Sequence, residues 1–190
     1  MWDKLGTPLV GDVVRLERLA QEHAAALSAA GKDPEVWRWM VVDNVDDWLR
    51  DSFAEEGRVA FTTIVNGVPS GSTSYLSLAP EHRRIEIGAT WLAPAAWNTG
   101  ANAEAKLLML RHAFEELGCL RVEFKTDEQN NRTRRALEAL PSRFEGVHRR
   151  HMLGRGGERR DSAWYSVIVD EWPEVEANLE RRLAERRPPQ

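Results

Sequence analysis

The stretch that decides the fold is Trp91-Leu92-Ala93-Pro94-Ala95-Ala96-Trp97-Asn98-Thr99-Gly100-Ala101-Asn102-Ala103-Glu104-Ala105. A strand pattern that starts at Ile85 ends at Leu92, and a loop with one proline and one glycine follows. The clearest amphipathic helix pattern of the chain begins at about Ala101, and Gly118 marks its end. This order predicts a strand-helix-strand unit with two parallel strands.

The start of that helix has the chemistry of an anion site. The first amides of a helix have no partner within it and carry the positive end of its dipole, which suits a pyrophosphate. Small residues here would let an anion approach the backbone: Thr99, Gly100, Ala101 and Ala103. A strand-to-helix turn without a ligand is the alternative, since a single glycine is weak support for a binding loop.

Hydrophobic periodicity predicts the remaining elements. Strands are expected at residues 13–19, 58–65, 70–78, 85–92, 120–124, 144–153 and 162–169. Besides the helix after the loop, helices are expected at residues 21–30, from Asp43 or Asn44 onward, at 130–140 and at 170–186. The last of these looks exposed.

The order of these elements predicts the fold class. Strands that follow one another directly favour antiparallel pairing, and the single strand-helix-strand unit favours one parallel pair. We therefore predict an α/β (α+β) fold in which residues 1–190 form one domain. Its sheet is mixed, mostly antiparallel and six to seven strands wide, with helices on both faces. Residues 170–190 are expected to form a C-terminal helix and a polar tail that ends in Pro188-Pro189-Gln190.

Composition narrows the class of protein. Of the 190 residues, 42% are hydrophobic and 29% are charged, which is typical of a globular domain. No apolar run approaches the roughly 18 residues of a membrane helix, and no apolar segment follows Met1, so we expect a cytoplasmic protein without membrane contact. The single cysteine, Cys119, excludes an internal disulfide, and we expect it in the core. A net charge of -4 argues against attraction of the whole molecule to nucleic acid.

One segment is locally basic. Between Arg143 and Arg160 the chain has six arginines and two histidines against two glutamates. This segment would suit an acidic partner, RNA, a ribosome or the phosphates of a nucleotide, although a solvated hairpin is the alternative. Its histidines, His148 and His151, are three apart on a predicted strand and should point to opposite faces. We therefore predict no metal site.

Residues 97–105 resemble the acetyl-CoA loop of the GNAT superfamily of N-acetyltransferases. The family pattern is Gln/Arg-x-x-Gly-x-Gly/Ala, and its Rim-type variant is Trp-Gly-x-Gly-x-Ala-x-Glu-Ala. Gly100 matches the central glycine, and Glu104-Ala105 matches the pair that follows. Asn130-Asn131-Arg132-Thr133 resembles the family's Asn-x-x-Ser, residues 85–92 resemble its fourth strand, and the element order is also similar. The sequence departs from the pattern at Trp97, Asn98, Asn102 and Leu137, the last of which lies where many members have a tyrosine general acid.

The resemblance implies a cosubstrate, acetyl-CoA, and a set of residues that would bind it. These are Trp91, Leu92, Trp97, Asn98, Thr99, Gly100, Ala101, Asn102, Ala103, Asn130 and Thr133. It also implies the transfer of an acetyl group to a primary amine. No metal is expected to take part.

Acetyl transfer needs a base, because an amine with an ordinary pKa of roughly 8 to 10 is mostly protonated at neutral pH. Glu86 is the predicted base, and it should share a face of its strand with Arg84, Gly88 and Thr90. An ion pair of Glu86 with Arg84 or another cation is the alternative.

The other predicted roles concern the leaving group, the oxyanion and the acceptor. Thr133 is the hydroxyl expected to protonate the leaving thiolate, unless it is only a first-turn helix residue, and an amide near Trp91 would meet the oxyanion. By resemblance, Trp37 and Trp39 would wall the acceptor pocket, with core packing as their alternative.

Three functions remain open at this point. The first is acetylation of a peptide N-terminus, as in the Rim-type enzymes, and the second is acetylation of a small amine. The third is a non-catalytic protein that binds CoA or an RNA or ribosomal partner. The C-terminal elements would suit a homodimer.

Overall fold

The computed structural model describes residues 2–186. Its strands are β1 (Leu9–Val10), β2 (Val14–Arg18), β3 (Val59–Val65), β4 (Val68–Ala79), β5 (Arg84–Leu92), β6 (Arg121–Asp127), β7 (Arg143–Leu153) and β8 (Arg159–Ile168). Its helices are α1 (Ala24–Ala30), α2 (Val45–Ala54), α3 (Ala101–Arg111), α4 (Asn131–Glu138) and α5 (Trp172–Ala184). Among these residues, no helix is both long and apolar enough to cross a membrane.

All eight strands form one sheet in the order β1-β2-β3-β4-β5-β6-β8-β7. Neighbouring strands are antiparallel except for β5 and β6, which are parallel and are connected through α3. The predicted mixed and mostly antiparallel sheet is therefore confirmed. Its additional strand, β1, has only two residues, which is too short for an alternating pattern.

Helices cover both faces of the sheet, as predicted. On one face, α3 and α5 pack over a core that includes Ile85, Ile87 and the buried Cys119. On the other face, α1 and α2 enclose a smaller cluster in which the Trp91 ring lies between Trp37 and Trp48, with ring centroids 5.1 and 5.6 Å apart. The expectation that Cys119 is a core residue is confirmed.

The C-terminal helix is not the exposed helix that the sequence suggested. Trp172, Val175 and Leu179 recur on one face of α5 and are buried, and the Trp172 ring stacks on Phe114 at a centroid distance of 5.5 Å. Apolar residues at this spacing form a stripe that packs against a neighbouring element, here the helix that begins with α3. The predicted polar tail, residues 187–190, lies outside the described residues.

Two features of β5 shape the molecule for function. Its pairing with β6 stops at Glu86 and Glu123, although both strands continue, so a gap opens between them. A bulge follows, because Ser72 and Ser74 of β4 pair with Trp91 and Gly88 and leave one extra residue on β5. Ala89 lies in this bulge with a left-handed φ of 47°.

Candidate functional site

A cavity of about 580 Å³ lies where β5 and β6 separate. Residues from both faces of the sheet line it. Gly100 and Lys106 lie on the face that α3 covers, and Glu86 and Trp39 lie on the opposite face. Because the strands are no longer hydrogen-bonded there, the cavity reaches both faces of the sheet.

The loop before α3 is held in shape by its own side chains. The Trp97 indole N–H donates to the Leu92 carbonyl at 2.7 Å, and the Thr99 hydroxyl donates to the Ala96 carbonyl at 2.8 Å. Asn98 and Gly100 adopt left-handed φ values of 62° and 95°, which glycine and asparagine tolerate best. The Ala101 amide donates to the Thr99 hydroxyl at 3.3 Å, and the amides of Asn102 and Ala103 that follow on the first turn of α3 are of the kind that can bind an anion, so we refer to this end of the cavity as the mouth.

Arginines surround this mouth. The Arg132 guanidinium lies over the Trp97 ring at 4.0 Å, and an Arg186 N–H donates to the Asn98 carbonyl at 2.7 Å. Arg182 lines the same cavity, and within residues 2–186 none of the three forms an ion pair. Sequence reasoning missed them because α4 and α5 supply them from distant parts of the chain.

Most of the residues predicted to bind a cofactor line this cavity. They are Trp91, Leu92, Trp97, Asn98, Gly100, Asn102, Ala103, Asn130 and Thr133. Two others turn away, since the Thr99 hydroxyl bonds inside the loop and Ala101 is buried in the core. Asn102, which replaces a smaller residue of the family pattern, lines the cavity at the mouth.

Asn130 has both a structural position and a place in the cavity. Its side-chain oxygen accepts the Thr133 amide at 3.1 Å and so caps α4, as predicted. The cap holds Thr133 on the first turn, where it lines the cavity together with Leu137.

Glu86 is a buried carboxylate at the far end of the cavity. Its residue is 1% exposed, and Oε2 accepts the Ser77 hydroxyl at 2.9 Å and the Lys125 ammonium at 3.1 Å. Its Oε1 faces Gly88, where an added Cβ would come within 3.0 Å. The ion pair weighed for Glu86 is thus made with Lys125 and not with Arg84, which pairs with Glu123 at 2.6 Å.

The bulge corrects one sequence prediction. Thr90 was expected on the same face as Glu86, but the extra residue at Ala89 turns it to the α3 face. There the Thr90 hydroxyl is 2.8 Å from the Thr73 hydroxyl and accepts from the Lys106 ammonium at 3.0 Å. A left-handed residue other than glycine leaves no local sign in the sequence, so simple alternation failed at this point.

Lys106 is a cavity residue that the sequence reasoning passed over. It is 8% exposed and lies over the Phe124 ring at 5.8 Å. Burial lowers the pKa of Lys106 to about 7. The sequence did indicate that Lys106 lies near the core, because it follows Ala103 by three residues and so borders the apolar stripe of α3.

The two tryptophans expected at the acceptor pocket have different positions. Trp37 is 1% exposed and donates its indole N–H to the Gly31 carbonyl at 2.7 Å. It therefore packs in the core, which was the alternative to a place in the acceptor pocket. Trp39 lines the β5–β6 cavity and also a second, polar cavity of about 1020 Å³.

The second cavity adjoins the first at Trp39, Met40 and Arg160. It lies between residues 38–40 and the β7–β8 hairpin and has both signs of charge on its walls. Of its hairpin arginines, Arg155 pairs with Asp43, whereas Arg149, Arg150 and Arg159 have no ion pair within the described chain.

The histidines of the hairpin correct another prediction. His148 and His151 were expected on opposite faces, but their ring centroids are 5.6 Å apart and both contact Trp164. A register shift between His148 and Met152, with Arg150 at a φ of 51°, breaks the alternation of β7. No group of three or more potential metal ligands lies among residues 2–186.

Two further arginines of the cavity are buried with incomplete hydrogen bonding. The Arg58 side chain is 6% exposed and has one terminal nitrogen without a hydrogen-bond partner within residues 2–186, and Arg160 is 11% exposed with its Nε 3.8 Å from the Asp127 carboxylate but without a hydrogen bond. Burial lowers the pKa of both groups, and for Arg160 the nearby Asp127 and Glu86 carboxylates oppose this effect. Glu86 therefore lies in a cleft with buried cationic groups.

Comparisons with known proteins agree with this geometry. The family model "Acetyltransferase (GNAT) domain" matches residues 14–141. No curated protein matches the chain. A GCN5-related N-acetyltransferase from Brucella melitensis has 29% identity and a TM-score of 0.88, with 94% of this chain and 86% of that chain covered.

Two further solved structures show the same similarity. A protein from T. thermophilus assigned as an acetyltransferase has 40% identity and a TM-score of 0.86, with 93% of this chain and 96% of that chain covered. Mycobacterium smegmatis RimJ, in complex with CoA-disulfide, shares the fold at 22% identity and a TM-score of 0.78, with 92% of each chain covered. The chain therefore belongs to the GNAT family and is an N-acetyltransferase.

Proposed function

We propose that the chain transfers the acetyl group of acetyl-CoA to a primary amine, with Glu86 as general base. The observation that carries this proposal is the cavity between β5 and β6, which has an amide-lined anion mouth at one end and a buried carboxylate at the other. An extended thioester that entered at the mouth would reach Glu86 through the gap in the sheet.

The mouth suits a nucleotide cosubstrate with several phosphates. Amides at the start of α3 offer donors for a diphosphate, and Arg132, Arg182 and Arg186 add positive charge around it. Asn130 and Thr133 would contact the arm of the cosubstrate at the start of α4. When bound, acetyl-CoA supplies an activated acyl group, and the chain holds and orients it.

Glu86 has the geometry of a base. Its Oε2 is occupied by Ser77 and Lys125, which fix the side chain, whereas Oε1 faces the space beside Gly88. An amine or a water molecule in that space could give its proton to Oε1. Amides near Trp91 that β6 no longer pairs would stabilise the oxyanion, and the Thr133 hydroxyl is the donor to the leaving group that the sequence predicts.

A peptide N-terminus is the acceptor that we propose first. The Rim-type pattern of residues 97–105 supports it, and the open cavity next to Trp39 would accommodate an extended chain. We infer a cytoplasmic enzyme, since the single thiol of the chain is the buried Cys119.

A small amine with an anionic group is the second candidate acceptor. In the cavity that contains Glu86, Arg58 and Arg160 each keep a buried N–H without a hydrogen bond within the described residues, although the Arg160 Nε lies 3.8 Å from the Asp127 carboxylate. Buried donors of this kind are normally satisfied, and a carboxylate or phosphate of the acceptor would satisfy them.

The basic segment from Arg143 to Arg160 gives less support to an RNA or ribosome contact. Arg155 pairs with Asp43 and Arg160 turns into the cleft, which leaves four of its six arginines, Arg143, Arg149, Arg150 and Arg159, without an ion pair within the described residues. A homodimer through α5 has less support than the sequence suggested, because the apolar face of this helix is already covered.

The test is an acetylation assay with a panel of peptides and small amines. Glu86→Gln should lower the rate at least tenfold without a change in melting temperature, because the amide cannot take the proton. The exposed Glu56→Gln is the control and should keep the full rate. An undiminished rate in Glu86→Gln would remove this residue from the mechanism, and an absence of acetylation with every amine would favour a non-catalytic CoA-binding protein.

A further inference from the structure

Lys106 is an ammonium group in the interior that has no counter-ion among the described residues. Lysine is almost never buried unless it is paired, yet Lys106 is 8% exposed and forms no ion pair within residues 2–186. Its hydrogen bond within this part of the chain goes to the Thr90 hydroxyl at 3.0 Å. A partner for the Lys106 ammonium would therefore be a group that enters the cavity.

The position of Lys106 is across the gap from Glu86. Thr90 belongs to β5 and Phe124 to β6, and the Lys106 ammonium contacts both. It thus lies over the gap on the α3 face, whereas Glu86 approaches from the other face. A thioester that passes through the gap would have Glu86 on one side and Lys106 on the other.

Lys106 can both give and take a proton near neutral pH. Burial alone lowers its pKa to about 7, although many charged groups line the same cavity. These groups are Glu35 before α2, Glu55 after α2, Arg58 before β3, Glu86 of β5, Lys125 of β6, Arg160 of β8, Arg132 of α4 and Arg182 and Arg186 of α5 and its end.

The reaction needs a donor of this kind. A departing thiolate has to be protonated, and the position of the tyrosine acid in many relatives is taken here by Leu137. The Thr133 hydroxyl can form a hydrogen bond to sulfur, but an alcohol holds its proton far more tightly than a buried ammonium does.

We propose that Lys106 is the group that protonates the sulfur of coenzyme A as the thioester breaks. The acceptor nitrogen forms a bond to the acetyl carbon, and the carbon–sulfur bond breaks with its electron pair on sulfur. A proton moves from Lys106 Nζ to that sulfur, and the proton of the acceptor amine goes to Glu86. Lys106 then regains a proton from solvent through the open cavity. This step rests on the proposed acetyl transfer.

The deciding experiment measures binding without turnover. The thiol of CoA bound to the wild-type protein is titrated by its thiolate ultraviolet absorbance, and the same titration with desulfo-CoA is subtracted. A thiolate and an ammonium stabilise each other, so the bound thiol and Lys106 should titrate as a pair that shares one proton, and we expect thiolate absorbance to appear at a lower pH in the wild type and in Lys32→Met, an exposed control, than for an isolated thiol. Lys106→Met should lose the shift. Equal thiol pKa values in the wild type and Lys106→Met would overturn the proposal.

Kinetics give a second readout. Lys106→Met should lower kcat about 100-fold and leave the KM for acetyl-CoA nearly unchanged. Lys106→Arg should not restore kcat, because a guanidinium does not release its proton. Lys106→Gln repeats the test if methionine disturbs the packing. A large loss in Thr133→Ala together with full kcat in Lys106→Met would assign the donor role to Thr133.

Failure of this proposal differs from failure of the proposed function. A protein that binds CoA but acetylates no amine would still show whether Lys106 shifts the thiol pKa. An active enzyme that loses activity in Glu86→Gln but not in Lys106→Met would keep its function and lose only this donor.

Discussion

At the scale of single residues, the reactive end of the cavity depends on the absence of a side chain at Gly88, beside Glu86. One carboxylate oxygen is held by Ser77 and Lys125, and the other faces Gly88, which has no side chain. The absence of a Cβ at this position leaves room for the nitrogen or water that has to meet the carboxylate. The geometry of the base is therefore set by two residues on the same face of β5.

Gly88→Ala tests this arrangement. Its Cβ would come within 3.0 Å of both Glu86 Oε1 and Leu76, so the carboxylate has to move and the space beside it is filled. We expect the acetylation rate to fall at least tenfold, because a displaced base loses its contact with the acceptor. The exposed Glu56→Ala is the control, since this residue lines neither cavity. A rate in Gly88→Ala equal to that of the control would contradict this reading of the site.

Lys106 gives a prediction about stability and pH. Its pKa is lowered from 10.5 in the unfolded chain to about 7 in the fold, so between these values the unfolded chain binds more protons. Lys106 therefore destabilises the fold fully below pH 7, and this effect fades as the pH rises toward 10.5. In urea unfolding, Lys106→Met should be more stable than the wild type at about pH 7, and the difference should shrink by about pH 10. A difference that is independent of pH would show that Lys106 keeps an ordinary pKa.

At the scale of elements, α3 is attached to the edge of the sheet by one buried carboxylate. Glu104 accepts the amides of Asp12, Val13 and Val14 at 2.8, 3.0 and 2.6 Å. This contact ties the turn between β1 and β2 to the first part of α3. Glu104 belongs to the Glu-Ala pair that the Rim-type loop pattern contains, and in the structure it connects α3 to this turn.

Glu104→Ala should show what this attachment contributes. It leaves three amides without their acceptor, and each unsatisfied buried group costs about 1–3 kcal/mol, partly recovered by water. We expect a loss of at least about 2 kcal/mol in the free energy of unfolding. Urea denaturation would measure it, with the exposed Glu56→Ala as control. A loss no larger than that of the control would mean that α3 is held by its apolar packing alone.

Elements with regular periodicity were predictable, and irregular ones were not. The strands and the α3 pattern follow the alternation of apolar residues, and Asn44 and Asn130 cap α2 and α4 where the sequence placed them. The bulges at Ala89 and Arg150 depend on left-handed residues with no glycine to mark them. Each bulge changed the face of a residue that simple alternation had assigned.

At the scale of the whole molecule, the site combines parts that only the tertiary structure brings together. The loop around Gly100 and the strand around Glu86 lie close in sequence, and a sequence pattern could find both. Arg182 and Arg186 come from α5 and its end, and Arg58 and Arg160 come from the ends of β3 and β8. Their contribution depends on the sheet order, in which β8 lies beside β6, and no local pattern shows that order.

A structure of the protein determined with acetyl-CoA would test most directly whether the β5–β6 gap connects the anion mouth to the base. We expect the diphosphate within hydrogen-bond distance of the amides that follow Gly100, and the thioester between β5 and β6 with Glu86 on one side and Lys106 on the other. A mouth filled by the Asn102 side chain, or a thioester that lies outside the gap, would contradict this arrangement.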